Sequence, residues 1–341
     1  MLNLRHSLRY AAVVVLLAAQ SAYAQVAIDN EAGSSFKGTK RVAIAQFGIE
    51  YYTQLMAVGR SGGNTVRQSS KLAGVSEAAM QAMAERLYAD TVARLKEAGF
   101  EVVDQNQLTA DTGYQELVAK YAKPSGREVH DGQGLGEGEH LSRVFSPAGM
   151  MAFFATSGSS NGLLRGNMSD RLDAQNYGIA MREAEVAKRL NATMLKFNFL
   201  ANYGVVKGSK NGFLATFANS AAKVALETAA VVQSHDTQVQ WVDAGGARMF
   251  GNVRRAGATG AFYLDQSLIG ENPFTLADST TAGSKADDNK SNALFGLFGG
   301  HNAKKSQALQ VDSDDERYSA AFSKVLDQAN LALIAALKNA R

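Results

Sequence analysis

The chain has 341 residues, and its nearly balanced charge and lack of cysteine exclude several classes of protein. The 35 Lys and Arg residues against 32 Asp and Glu give a net charge of +3, which argues against a dedicated nucleic-acid binder, since such proteins carry a basic face. Without Cys, the chain has no disulfide, no thiolate metal site, no cysteine nucleophile and no acylated cysteine of a bacterial lipoprotein.

The first segment of the chain predicts export. Arg5 and Arg9 precede the apolar run Ala11–Ala19, and Ala22-Tyr23-Ala24 follows, which is the pattern of a secretory signal peptide cleaved before Gln25. The apolar run is too short for a permanent membrane span, and no stop-transfer pattern follows it. Loss of Arg5 and Arg9 lowers the net charge to +1. We therefore expect a periplasmic protein of a Gram-negative bacterium, either free or associated with the outer membrane.

After a polar leader at residues 25–39, residues 40–341 are expected to form one α/β domain that starts with a βαβ unit. Arg41–Phe47 is predicted to be a buried strand, and Gly48–Gly74 a long loop. A helix is predicted from the N-cap Ser76 to the C-terminal Gly99, and Phe100–Asp104 is predicted to be a strand parallel to the first. The apolar stripe of this helix advances by three or four residues: Met80, Met83, Leu87, Thr91 and Leu95.

The middle of the chain combines clear elements with one stretch that lacks periodicity. A short helix is predicted from Thr109 to Ala122, ahead of Pro124. The Gly- and Ser-rich stretch Ser125–Asp170 is expected to be an insertion: a functional loop, a helix without clear periodicity, or a loop whose aromatic residues enter the core. Asp173–Leu190 is predicted to be a helix, and the alternation in Thr193–Leu200 predicts a half-buried strand.

The last third of the chain predicts a meander, a polar insertion and a terminal helix. Val224–Val232 and Gln238–Val242, with a turn at Ser234–Thr237 between them and Arg248–Val253 after them, are expected to form an antiparallel meander. The polar segment Ser279–Asp315 is expected to be a solvated or disordered loop. The closing amphipathic helix Tyr318–Leu337 should pack on the sheet through one side: Phe322, Val325, Leu326, Leu333 and Leu337.

The sequence contains no recognised catalytic motif. There is no P-loop, no nucleophile elbow and no His-Glu-x-x-His helix, and the Gly-x-Gly-x-Gly at Gly132–Gly136 neither follows a strand nor opens a convincing helix. His130 and His140, with the nearby acidic residues, are weak candidates for metal ligands, because a flexible loop must be ordered before its ligands can converge. We therefore expect no catalytic residues, no cofactor, no metal and no enzymatic activity.

The order of elements resembles a known superfamily. Arg41-Val42-Ala43-Ile44-Ala45-Gln46-Phe47, the helix end Ala93-Arg94-Leu95-Lys96-Glu97-Ala98-Gly99-Phe100 and the following Glu101–Gln105 resemble the start of the curli-secretion channel lipoproteins. Similar openings occur in the amino-terminal domain of the translocation protein TolB and in lipoprotein activators of peptidoglycan synthases. Ala184–Phe197, the expected meander and the terminal helix extend the likeness to about half of the mature chain.

The resemblance implies a mixed sheet with flanking helices that binds proteins or assembles with itself. It departs from the family in lacking the lipid-bearing cysteine and in carrying the long insertions. The leading hypothesis is therefore a non-catalytic envelope assembly or secretion accessory factor, whose partners are other envelope proteins or its own copies, with peripheral membrane contact as a further option. Apolar groups in Gly-rich segments are the candidate contact residues: Phe145, Met150, Met151, Phe153, Phe154, Phe295 and Phe298.

The alternative is a periplasmic binding protein for a small apolar ligand. In that case the same aromatic residues, with Tyr51, Tyr52 and Tyr203, would line a cleft. The two hypotheses differ in where Phe145–Phe154 lies, because a closed pocket favours a ligand whereas an open face favours assembly.

Overall fold

A computed structural model describes residues 26–61, 64–132, 139–151, 172–206, 226–246, 257–281, 285 and 304–341. Several sequence predictions fall outside these ranges: the signal peptide Met1–Ala24, the third meander strand Arg248–Val253, most of Gly132–Gly136, and the candidate contact residues Phe153, Phe154, Phe295 and Phe298.

The described residues form one mixed sheet of thirteen strands with five α-helices, which confirms the predicted α/β class. The strands are β1 (Ile28–Glu31), β2 (Arg41–Ser61), β3 (Asn64–Ala73), β4 (Glu101–Val102), β5 (Arg127–Gly132), β6 (Glu139–Phe145), β7 (Thr193–Val206), β8 (Leu226–Val232), β9 (Gln238–Val242), β10 (Gly260–Leu264), β11 (Leu268–Ile269), β12 (Thr275–Asp278) and β13 (Lys304–Asp312). The helices are α1 (Glu77–Glu97), α2 (Gln105–Ala110), α3 (Thr112–Tyr121), α4 (Leu172–Leu190) and α5 (Asp315–Ala340).

The sheet is organised around the long strand β2. Its main order is β1-β10-β9-β7-β2-β3-β13-β12, while β4 and β6 also pair with β2 and β5 pairs with β6. β2 is parallel to β4 and to β7, which confirms the predicted βαβ start. β1 and β12 lie at the two ends of the main path.

Helix α1 forms as its local signals predict. The Ser76 side chain accepts a hydrogen bond from the Ala79 amide, and Gly99 has the left-handed φ of 89° that suits a glycine after a helix. All five residues of the predicted apolar stripe are buried. Asn191 (φ 48°) follows α4 in the same conformation, and the predicted helix Asp173–Leu190 is confirmed as α4.

Three segments for which no strand was predicted contain strands. The predicted loop Gly48–Gly74 is wrong, because β2 continues to Ser61 and β3 pairs with it in antiparallel register. Within Ser125–Asp170, β5 and β6 form a hairpin, and within Ser279–Asp315, β13 pairs in parallel with β3. These strands carry many polar residues, so hydrophobic alternation does not reveal them, and backbone pairing with distant strands stabilises them.

The predicted meander is also wrong in its connection. β8 and β9 do not pair with each other, because both run antiparallel along β7, at Ala201–Val206 and Met194–Asn198 respectively. Ser234–Thr237, predicted to be a turn between paired strands, is therefore a short interruption between two segments that pair with β7 one after the other. Thr237 Oγ1 fills the gap by accepting a hydrogen bond from the Leu200 amide at 3.1 Å.

Two apolar cores lie on the two faces of the sheet. The larger core contains the buried sides of α1 and α5 together with Trp241, Phe197 and Phe199. The smaller core lies between the sheet and α2, α3 and α4. Helix α5 is long and apolar enough to cross a membrane by length and composition, but half of its most apolar stretch is buried against the sheet, as expected for a core helix.

The predicted helix Thr109–Ala122 is interrupted at Asp111, which separates α2 from α3. The Asp111 carboxylate caps α3 by accepting a hydrogen bond from the Tyr114 amide at 3.0 Å. It also accepts two hydrogen bonds of 2.8 Å from Arg189 near the end of α4. The bonds from Arg189 hold the pKa of Asp111 below its ordinary value of 3.8.

We expect Asp111→Asn to lower the free energy of unfolding at pH 7 by about 1 kcal/mol, because asparagine keeps the cap but loses the charged partner of Arg189. Since the folded-state pKa of Asp111 is depressed, its contribution is present above pH 3.8 and is lost as the pH falls below that value. Urea unfolding at pH 7 and at pH 2.5 measures both effects. Glu116→Gln, which weakens the more exposed pair with Arg182, is the control and should change little; a loss from Asp111→Asn that persists undiminished at pH 2.5 would contradict this account.

Candidate functional site

Three of the predicted contact residues belong to the core. Phe145, Met150 and Met151 are 2%, 8% and 0% exposed, so the expectation that they form an exposed contact cluster is wrong. The Phe145 ring packs edge-on against Tyr51, with 5.9 Å between the ring centroids. Phe145 is the last residue of β6 and Met151 forms a bridge with Gln46, so strand pairing draws both into the sheet.

The tyrosines of the alternative hypothesis also lie inside. Tyr51, Tyr52 and Tyr203 are at most 3% exposed. Tyr203 donates a hydrogen bond of 2.8 Å to the Ser70 carbonyl, and burial raises the pKa of Tyr51 and of Tyr203 far above the ordinary value of 10.0. These rings fill the core and do not line a cleft.

The weak metal candidates lie on neighbouring strands. His130 is in β5 and His140 is in β6, where His140 pairs with Asp131 and His130 with Leu141. The side chains of both histidines lie outside the described part of the structure; among the side chains that it does describe, no group of three or more His, Asp or Glu is placed to hold a metal ion.

A buried charged cluster lies where α4 crosses the sheet. Gln46, Lys196 and Gln240 are neighbours in register on β2, β7 and β9, so their side chains share one face. Lys196 Nζ lies 3.3 Å from Glu183 Oε2 of α4 and donates a hydrogen bond of 2.8 Å to the Gly257 carbonyl. Gln46 Nε2 donates to Glu183 Oε1 at 2.5 Å. The predicted half-buried strand is thus covered on both faces.

The cluster sits beside a bulge in β2. The register of β2 against β7 shifts between Ile44 and Gln46, which leaves the Ala45 carbonyl outside the regular ladder. The Tyr114 hydroxyl donates a hydrogen bond of 2.7 Å to that carbonyl, and burial raises the pKa of Tyr114. Glu183 is fully buried and Lys196 is 8% exposed. Because both charges are buried and paired with each other, we interpret the ion pair as a structural contact that holds α4 against the sheet.

An open groove lies on the other face of the molecule, between the N-terminal segment and the outward side of α5. Its volume is about 1070 Å³. The α5 wall consists of small, apolar and amide side chains without a charge: Gln328, Leu331, Ala332, Ala335, Ala336, Asn339 and Ala340. The facing wall includes Val26 to Asn30, Phe262 and Asp265, and it continues to Lys37.

Leu331 is the apolar residue that this groove leaves open. It is 44% exposed, although leucine in a core helix is usually buried. The apolar pattern of the helix does not mark Leu331, because it lies off the stripe that runs through Leu333 and Leu337. The sequence pattern that could have identified Leu331 is a leucine among several alanines on the side of the helix opposite the core.

No family model, curated protein or solved structure matches this chain. The groove and the buried cluster therefore have to be interpreted from their own chemistry. Of the two, only the groove offers a surface that another molecule can reach.

Proposed function

We propose that this protein is an exported, non-catalytic assembly or secretion accessory factor of the bacterial envelope that acts through protein contacts. The observation that supports this best is the open groove beside α5, with Leu331 exposed in its wall. Exposed apolar residues gathered in one concave surface are typical of protein contact sites. The export pattern of Met1–Ala24 and the resemblance to envelope assembly domains agree with this proposal.

A second candidate is a binding protein for a small apolar ligand. The volume of the groove, about 1070 Å³, is close to the upper end of the range for small-molecule sites. Against it, those aromatic residues expected to line a ligand cleft that the structure describes, Phe145, Tyr51, Tyr52 and Tyr203, are in the core, and the groove is open. Native mass spectrometry of protein purified from the envelope distinguishes the two, since a tightly bound small molecule would favour this second candidate.

The test of the proposed function is photo-crosslinking in intact Gram-negative cells that express the full chain. A photoreactive amino acid at Leu331 or at Ala335 should give crosslinks to protein, whereas the same group at Met181 should give few. Met181 is the matched control, because it is also an apolar helix residue with 44% exposure but lies on α4. Mass spectrometry of the periplasmic fraction should find a mature chain that begins at Gln25. Equal crosslinking at Leu331 and Met181, or retention of the chain in the cytoplasm, would contradict the proposal.

A further inference from the structure

The two ends of the groove carry side chains of opposite charge. Asp265 directly follows β10, near the end where Gly270 lies against Val325 of α5. Lys37 follows the 3₁₀ turn Gly33–Phe36, near the other end of α5. Contacts on Phe100 place Lys37 near the C-terminal end of α5. Phe36, the residue before Lys37, packs on the Phe100 ring, and the guanidinium of Arg341, the residue after α5, lies over the same ring.

Both charged residues at the ends of the groove are available to a partner. Lys37 and Asp265 are exposed, and within the described ranges neither side chain has a hydrogen bond or an ion pair. The other carboxylate in the lining, Asp29, accepts a hydrogen bond of 2.9 Å from the Tyr263 hydroxyl. Among the described residues, the groove therefore offers the unpaired cation of Lys37 at one end, the unpaired carboxylate of Asp265 at the other and an uncharged α5 wall between them.

A surface with this arrangement complements itself. When two copies are related by a two-fold axis perpendicular to the groove, their α5 helices run antiparallel, and Lys37 of each copy faces the partner's Asp265. The small side chains of Ala332, Ala335 and Ala336 allow two helices to approach within about 8–10 Å. Leu331 of each copy then gains apolar contacts that it lacks in the isolated chain.

We propose that the occupant of this groove is a second copy of the same chain, packed through α5 in a two-fold dimer. This inference rests on the proposed function and names the partner of the same surface. The α5 wall from Gln328 to Ala340 is about 20 Å long, which is short for an interface, so the dimer forms and dissociates with concentration. The mature net charge of +1 gives little repulsion between copies.

A charge exchange tests the dimer. By sedimentation velocity over a range of concentrations, the mature wild-type chain should show a monomer–dimer equilibrium. Lys37→Glu and Asp265→Lys should each weaken dimerisation at least about tenfold, because each replaces two opposite-charge contacts by two like-charge contacts. The double variant Lys37→Glu/Asp265→Lys restores both contacts with reversed sign and should recover the wild-type dimer. Lys123→Glu, which makes the same charge change after α3, should leave the dimer unchanged.

Two results would overturn the inference: a wild-type chain that stays monomeric at all concentrations, or a double variant no better than the single ones. Neither result would remove the proposed function, which depends on crosslinks from Leu331 to protein in cells. Crosslinks to other envelope proteins from a strictly monomeric chain would replace the second copy by a different partner. Retention of the chain in the cytoplasm together with an intact, Lys37- and Asp265-dependent dimer in solution would contradict the proposed function alone.

Discussion

Replacing Lys196 by methionine should lower the free energy of unfolding by about 3–5 kcal/mol. Methionine fills a similar volume, but it removes the cation that lies 3.3 Å from the fully buried Glu183 carboxylate. It also removes the donor to the Gly257 carbonyl. A buried charge without its partner cannot recover its hydration, so the folded state bears the whole penalty. Chemical denaturation at pH 7, followed by circular dichroism, measures the loss.

The double variant Glu183→Gln/Lys196→Met separates the charge from the packing. Glutamine keeps an acceptor for Gln46 Nε2, which donates to Glu183 at 2.5 Å in the wild type, and it carries no charge that needs a cation. The double variant should therefore recover more than half of the stability lost by Lys196→Met. Equal losses in the single and double variants would show that the charge of Glu183 does not cause the destabilisation.

Replacing Gly74 by alanine should lower the free energy of unfolding by more than about 3 kcal/mol. Gly74 joins β3 to α1 at a φ of 79°, and a Cβ atom there would lie 2.1 Å from the Ser313 carbonyl oxygen. Ser313 is tied to the same place, because its amide donates a hydrogen bond of 3.1 Å to the Ala73 carbonyl. The backbone at Gly74 and at Ser313 must move to admit the methyl group. This movement separates the ends of β3 and β13.

Gly38→Ala is the matched control for this prediction. Gly38 has nearly the same φ, 82°, but a Cβ atom there would meet nothing within 4 Å. It should cost only about 1–2 kcal/mol, the conformational penalty of a left-handed alanine. The difference between the two variants in thermal or urea unfolding isolates the collision with Ser313. Equal losses would mean that Gly74 is required for its φ alone.

The elements that could be predicted from the sequence carry their signals locally. Helix α1 has a cap at Ser76, a regular apolar stripe and a terminal glycine, and α5 has a stripe through Phe322 and Leu333. An apolar stripe of this kind predicts both that a helix forms and which side of it is buried, because both follow from the period of 3.6 residues per turn. These predictions needed no information about distant parts of the chain.

Strands stabilised by distant partners could not be found in this way. β13 contains Lys304, Ser306 and Gln310, and its stability comes from pairing with β3 and β12. The alternation in β7 correctly indicated one apolar face, but it could not show that Glu183 approaches Lys196 from the helix above the other face. Phe145 failed as a contact site for the same reason, since the pairing of β6 with β2 places its ring against Tyr51 in the core.

The order of strand pairing limits when this chain can fold. β2 is not fully paired until β7 has been synthesised, and one edge of β3 stays unpaired until β13, which follows all the other strands, is present. Ser76 at the start of α1 is hydrogen-bonded to Asp315, 239 residues further along the chain. Contacts of such long range slow folding, and the unpaired edges of β2 and β3 can pair with other chains in the meantime. If the chain is exported as we propose, translocation must be complete before the sheet closes, and the emerging N-terminal half needs protection from aggregation until α5 follows.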